Sequence, residues 1–169
     1  MKVLLLCGVF AKENEKEIIE NSKRAVEYSA NIFQEKLIEG FEETVEDFSV
    51  LSAPFIGAYP IAYKQRVFKG FQEEQNKYKY VHFNNIWGIR NFSRAKSLKT
   101  RLQEFIKDLD KEKLIVVYSP HTPFLEAAVY AKKKDPNIKI CLIVPDLPQY
   151  MNLNKKKSLL YRIGKFFDK

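Results

Sequence analysis

Hydrophobic and polar positions alternate between two periods along this chain. Val3–Cys7 is an uninterrupted apolar run closed by Gly8, the pattern of a strand buried on both faces. Val26, Ala30, Phe33 and Leu37 follow at helical spacing, and Gly40 stands where a C-cap glycine would stop that helix. Asp47–Leu51 predicts a second strand, ended by Ser52-Ala53-Pro54, and Tyr80–Phe83 a third, followed by the turn-rich Asn84–Gly88. Leu98, Leu102, Phe105 and Leu109 return to the helical period. Leu114–Tyr118 is a fourth strand. Ser119-Pro120-His121-Thr122-Pro123 opens the next helix, with Thr122 as N-cap and Pro123 at the first helical position. Ile138–Val144 is a fifth strand, closed by Pro145-Asp146-Leu147-Pro148, and a basic helix runs from about Lys156.

Strands alternating with helices pair in parallel through right-handed crossovers. The expected fold is therefore α/β: a Rossmann-like, doubly wound parallel sheet of about five strands. Ser52–Asn76 is too long for a simple connection. With Pro54, Gly57 and Pro60, it is expected to hold a short hairpin or helix.

Composition narrows the class. The 169 residues suit one domain, and a hydrophobic share of 46% excludes a disordered tail. Val3–Cys7 and Leu114–Tyr118 fall far short of the ~20 apolar residues a membrane span needs, and the first of them is too short for a signal-peptide core. The net charge is +8, but Lys155–Lys169 alone holds six basic residues against Asp168. The rest is only mildly basic, so no nucleic-acid-binding face is expected. Leu159, Leu160, Ile163, Phe166 and Phe167 give that last helix one apolar face, suited either to packing or to an anionic membrane surface. Cys7 and Cys141 sit within apolar runs, without metal or redox spacing, and read as buried, reduced thiols of a cytoplasmic protein.

In an open parallel sheet, ligands bind outside the carboxyl ends of the strands, where the strand order reverses. Five loops reach that edge: Gly8–Lys12, Pro54–Pro60, Asn84–Arg90, Ser119–Thr122 and Pro145–Tyr150. Their candidate contacts are Gly8, Val9, Tyr59, Asn84, Ser119, His121 and Asp146. Gly8 lets backbone approach a ligand, or is simply a turn residue. His121 is placed either to exchange protons or to position its helix. Asp146 is held between prolines, and the helix starting near Thr122 offers N–H groups to an anion. His82, inside the third strand, reads as a satisfied structural histidine. Arg90, Arg94 and Lys96 read as a solvated cluster. Tyr59, Tyr63, Tyr78 and Trp87 suit sugar stacking and loop packing equally. The glycine fingerprints of nucleotide-binding loops are absent, as are a Ser-His-Asp order, metal-ligand spacing and a close carboxylate pair. No metal and no cofactor are expected.

Several segments together resemble one family. Tyr28–Gln34, Ser52–Pro60, Tyr118–Leu125 and Lys139–Met151 are similar, in this order, to the amino-terminal domain of bacterial glycosyltransferases of the family 4 type, which have the two-domain GT-B architecture. The resemblance implies a domain that mainly holds the acceptor, facing a second domain that binds the nucleotide-sugar donor. It implies that His121, after the fourth strand, reaches the donor sugar as the catalytic residue, and that the Gly8-Val9 loop approaches the donor diphosphate. The family's first loop carries paired glycines, whereas Cys7-Gly8-Val9 has one. The carboxyl-terminal domain with its paired-glutamate motif is not in this sequence, so a half enzyme, truncated or split, is expected. The implied partners are a nucleotide-sugar donor, a glycan or lipid-linked acceptor of cell-surface polysaccharide, and the missing domain or a partner chain. Two alternatives stand beside it: a non-catalytic subunit that recruits a catalytic chain to the membrane, and an unrelated flavodoxin-like small-molecule-binding domain.

Overall fold

A computed structural model describes residues 1–72, 77–108 and 112–145. Asp146, Leu109 and the basic helix from Lys156 lie outside these residues.

The chain runs β1 (Lys2–Cys7), α1 (Lys12–Asn21), α2 (Tyr28–Thr44), β2 (Phe48–Ser52), β3 (Val67–Phe68), β4 (Phe71–Gln72), β5 (Tyr78–Tyr80), β6 (Phe83–Asn84), α3 (Arg90–Lys107), β7 (Lys113–Tyr118), α4 (Thr122–Lys134) and β8 (Lys139–Ile143). The main sheet has the order β4-β5-β2-β1-β7-β8. Five of its strands are parallel, and β4 closes one edge antiparallel to β5. The fold is the expected Rossmann-like α/β sheet, and its strand order reverses between β1 and β7. Leu4, Leu5 and Leu6 of β1 and Ile115, Val116 and Val117 of β7 are all buried, as a sheet covered by helices on both faces requires. No helix among the described residues is long and apolar enough to cross a membrane.

Several local expectations are corrected. The third strand ends at Tyr80, where the Val81 amide donates to the Ser52 carbonyl. Phe83 then leaves the main sheet and pairs with Phe68 in the small sheet β3-β6, their rings stacked at 5.2 Å. His82, between the two pairings, is exposed rather than a satisfied interior histidine. The stretch Ser52–Asn76 holds the short strands β3 and β4 rather than a hairpin of its own: β3 pairs with β6 and β4 with β5, both partners beyond Asn76, and Phe71 stacks on Tyr80 at 4.3 Å. Gly40 does not end α2. The helix continues to Thr44, and Gly40 does not take the left-handed backbone of a C-cap glycine. Thr122 is already inside α4, and His121 is its N-cap, with its carbonyl accepting from the Phe124 and Leu125 amides. Cys7 is buried as expected, but Cys141 on β8 is exposed.

The buried face of α2 is the more consequential surprise. Phe33, on the expected apolar stripe, is 50% exposed, while Asn31, Gln34 and Ile38 are buried. The two amides are buried because they have partners. Gln34 Oε1 accepts from the Gly8 amide at 2.7 Å and Asn31 Oδ1 from the Phe10 amide at 2.9 Å. Helix α1, rich in Lys and Glu with only Ile18 buried, gave no apolar period to read.

Candidate functional site

The site is built where the topology reverses, at the carboxyl ends of β1, β2 and β7. Pro54-Phe55-Ile56, just after β2, is its hub. The Phe55 amide donates to the Gly8 carbonyl, and the Phe55 ring lies so close to Gly8 that a Cβ there would fall 2.5 Å from ring carbons. Gly8 is therefore a glycine to admit an aromatic ring from its own chain. Its amide is committed to Gln34, and Val9 is buried with its carbonyl accepting from the Ser52 hydroxyl. The loop expected to open toward a diphosphate is packed shut on this side.

Beyond Phe55 stands His121. Its ring meets Phe55 edge-on at 5.4 Å and Phe124 at 4.9 Å, and Phe55 also packs on Tyr118 and Phe124. The sharp entry is made by Ser119, which adopts a left-handed backbone (φ 70°); its amide donates to the Ile143 carbonyl and its carbonyl accepts from the His121 amide. A non-glycine residue in that region carries strain and marks places where a chain must re-aim a side chain. Burial, and then the charges of Arg94 and Arg90, push the His121 imidazole down to about 4, so it is neutral at physiological pH. His121 Nδ1 is buried and has no partner among the described residues.

Those arginines are the residues that sequence reasoning missed. Arg94 is 1% exposed rather than solvated. It lies on the inner stripe of α3 with Ala95, Leu98, Leu102 and Phe105, donates to the Pro54 carbonyl at 2.6 Å and stands 4.4 Å over the Phe83 ring. Burial, with Arg90 one turn away, lowers its guanidinium to about 9. Arg90 is half-buried and donates to the Ile56 carbonyl at 3.1 Å. Lys96, the third member of the expected cluster, is exposed. The signal was available: Arg94 precedes Leu98 by four residues, so it shares the apolar face.

Tyr59 and Asn84 sit farther out. The Tyr59 ring carries the Arg66 guanidinium at 5.3 Å, and the Tyr59 backbone pairs with Asn85 and Trp87. Asn84 is exposed, and its amide accepts no role in the cluster: it donates to Ser93 Oγ. The buried amide of this turn is its neighbour Asn85, which donates to the Gly57 carbonyl and keeps Oδ1 unpartnered among the described residues. The structure thus brings Gly8 and His121 together against Phe55, with Ser119 turning the chain into His121, and leaves Tyr59 and Asn84 on the flank. No cluster of metal-ligating side chains is present among the described residues. Comparison with family models, curated proteins and solved structures gave no match to this chain.

Proposed function

We propose that this chain is the acceptor-side domain of a glycosyltransferase that moves a sugar from a nucleoside diphosphate to a cell-surface or lipid-linked acceptor. The observation that carries this reading is the place of His121: at the reversal of strand order, its ring held by Phe55 and Phe124, with Arg90 and Arg94 tied to the loop that carries Phe55. A neutral imidazole at that edge can accept a hydrogen bond from a sugar hydroxyl or donate one to it. The nearby cations favour a reaction in which negative charge grows on a leaving group. In this reading the donor-binding wall belongs to a second domain. The test is transfer of a labelled sugar with the donor-binding domain joined or supplied as a separate chain. Transfer is expected only when both parts are present, and His121→Ala is expected to lower turnover by about 10²-fold or more. His82→Ala, at an exposed position, should leave turnover unchanged. Turnover by this chain alone would overturn the two-wall reading.

One observation favours a membrane-recruiting role, alone or alongside transfer. Trp87 is 64% and Phe92 73% exposed, with Ile86 and Ile89 also exposed and Arg90 and Lys96 close in sequence. Aromatic side chains beside basic ones suit the interface of an anionic bilayer, which would place the protein peripherally at a membrane. Sedimentation with phosphatidylglycerol vesicles should show binding that weakens at high salt and with Trp87→Ala/Phe92→Ala. Equal binding to neutral vesicles would remove the electrostatic part.

A further inference from the structure

The edge strand β8 is apolar and uncovered. Ile140, Leu142 and Val144 are 41%, 42% and 43% exposed, whereas Ile115 and Val117, level with Ile140 and Leu142 on β7, are fully buried. Side chains alternate along a strand, so Ile140 and Leu142 share one face and Cys141 and Ile143 the other. Tyr118, level with Ile143, packs on Phe33 of α2, which puts Cys141 and Ile143 on the α2 side of the sheet. Ile140 and Leu142 therefore lie on the opposite side, where α3 and α4 pack together and the Lys99–Glu126 pair joins them. On α4, Glu126 and Tyr130 form the flank toward α3. Leu125 and Val129, each one residue out of step with them, form a stripe on the other flank, and Val129 is exposed. A slot thus runs along the outer side of α4, with Ile140 and Leu142 as its floor and Leu125 and Val129 as its wall.

We propose that this slot seats the chain's own segment Ser158–Lys169, which lies outside the described residues. At helical spacing Leu159, Leu160, Ile163, Phe166 and Phe167 share one side, and Arg162, Lys165 and Lys169 fall on the other. The topology supplies the direction. The steps from β5 to β7 and from β7 to β8 advance the same way across the sheet, through α3 and α4 on one face. A chain that goes on from β8 with the same hand enters the same layer, beside α4. The reach is ample: the 14 residues between Ile143 and Ser158 span ~45 Å when extended, against ~17 Å for the length of β8. Tethering also raises the effective concentration of this segment to the millimolar range, an advantage that a second copy or a separate partner lacks. Seated in the slot, its apolar side is closed to a bilayer and only the basic side faces outward. The connection that carries Asp146 is then fixed at both ends, next to the Ser119 amide that donates to the Ile143 carbonyl. The inference holds whether or not the chain takes part in sugar transfer.

The experiment is nuclear magnetic resonance on the full chain with labelled methyl and aromatic groups, at two protein concentrations. Nuclear Overhauser contacts are expected between the Val129 or Leu142 methyls and the Phe166 or Phe167 rings, unchanged by dilution. Leu142→Ser and Ile163→Ser should each lower the melting temperature by several degrees, and the double variant by less than the two together, because they remove one shared contact. Cys141, on the far side of β8, should keep its fast reaction with a thiol reagent. Contacts that vanish on dilution would assign the slot to a second copy and overturn the proposal. Protection of Cys141 would place the segment on the α2 side and overturn it too. So would additive losses in the double variant. Absence of the contacts, with Ile163→Ser weakening only the binding of phosphatidylglycerol vesicles, would assign the segment to a membrane surface instead.

Discussion

The Gly8 amide and the Gln34 side chain are joined by a 2.7 Å hydrogen bond, buried, across 26 residues of sequence. It ties the turn after β1 to the middle of α2, and Asn31 repeats the arrangement one helical turn earlier with the Phe10 amide. Two backbone donors that would otherwise be orphaned in the interior are satisfied by one helix face. Gln34 also donates from Nε2 to the Ala30 carbonyl, which fixes its amide orientation.

Replacing Gln34 with Leu keeps the volume and removes the acceptor. The Gly8 N–H then stays buried and unpaired, a loss of about 1–3 kcal/mol. Urea unfolding should show a lowered midpoint with an unchanged slope. Gln34→Glu keeps an acceptor but loses the Nε2 donor to the Ala30 carbonyl, so it should approach wild-type stability only at acid pH, where the buried carboxyl is protonated and can donate again. If Leu is as stable as Gln, the polar stripe of α2 is not holding the first turn.

Gly8→Ala tests the other side of the same turn. The added methyl meets the Phe55 ring near its base, which cannot swing aside as a chain end can. Overpacking of this kind costs about 1–3 kcal/mol. It should also disturb the His121 resonances, since Phe55 is their common neighbour. Gly8→Ala combined with Phe55→Leu should recover part of the loss, measured as a coupling in a double-mutant cycle. Simple additivity would show that the ring is not what excludes a side chain at Gly8.

These two cases show where the sequence was legible. Continuous apolar runs marked β1 and β7 within a residue, because strands covered on both faces are apolar throughout, and Phe48, Val50 and Leu51 with the Ser52-Ala53-Pro54 stop marked β2. The edge that carries the loops followed from topology alone. What escaped were polar residues with interior jobs. Asn31, Gln34 and Arg94 look like surface positions to any hydrophobic count, yet each is buried because a backbone group or aromatic face meets it. Periodicity records what a side chain is made of, whereas burial here depends on a partner distant in sequence. Phe55 was invisible as the hub for the same reason: its neighbours Gly8, Tyr118 and His121 come from two other strands' ends.

The two thiols should separate cleanly. Cys7 is fully buried at the end of β1, and burial pushes its thiol up to about 12, so almost no thiolate exists at neutral pH. Cys141 is exposed on β8. With an aromatic disulfide reagent at pH 8, one equivalent should react quickly and be lost in Cys141→Ser. The second should appear only with denaturant, at the rate of unfolding. Rapid reaction of both would mean that the β1 end opens readily.

His121 makes stability depend on pH in a direction that can be fixed in advance. In the unfolded chain its imidazole titrates near the ordinary 6.5, whereas in the fold it is held to about 4. Above pH 6.5 both states are neutral and the full stability is present. As pH falls from 6.5 toward 4, the unfolded chain takes up a proton that the folded chain refuses, so stability falls. A gap of that size corresponds to roughly 3 kcal/mol at most, reached near pH 4. Carboxylates held low by lysine partners, such as Glu42 by Lys77 and Glu104 by Lys79, add their own loss only at more acid pH. Urea unfolding at pH 7.5, 6.0 and 5.0 therefore isolates the histidine. The wild-type chain should lose stability across that series, and His121→Gln, which cannot titrate, should lose markedly less. Removing a neighbouring charge with Arg90→Gln should move the imidazole midpoint, followed by its C2 proton resonance, upward. Parallel pH profiles for wild type and His121→Gln would mean that the ring is solvated in both states, and the site would lose its neutral imidazole.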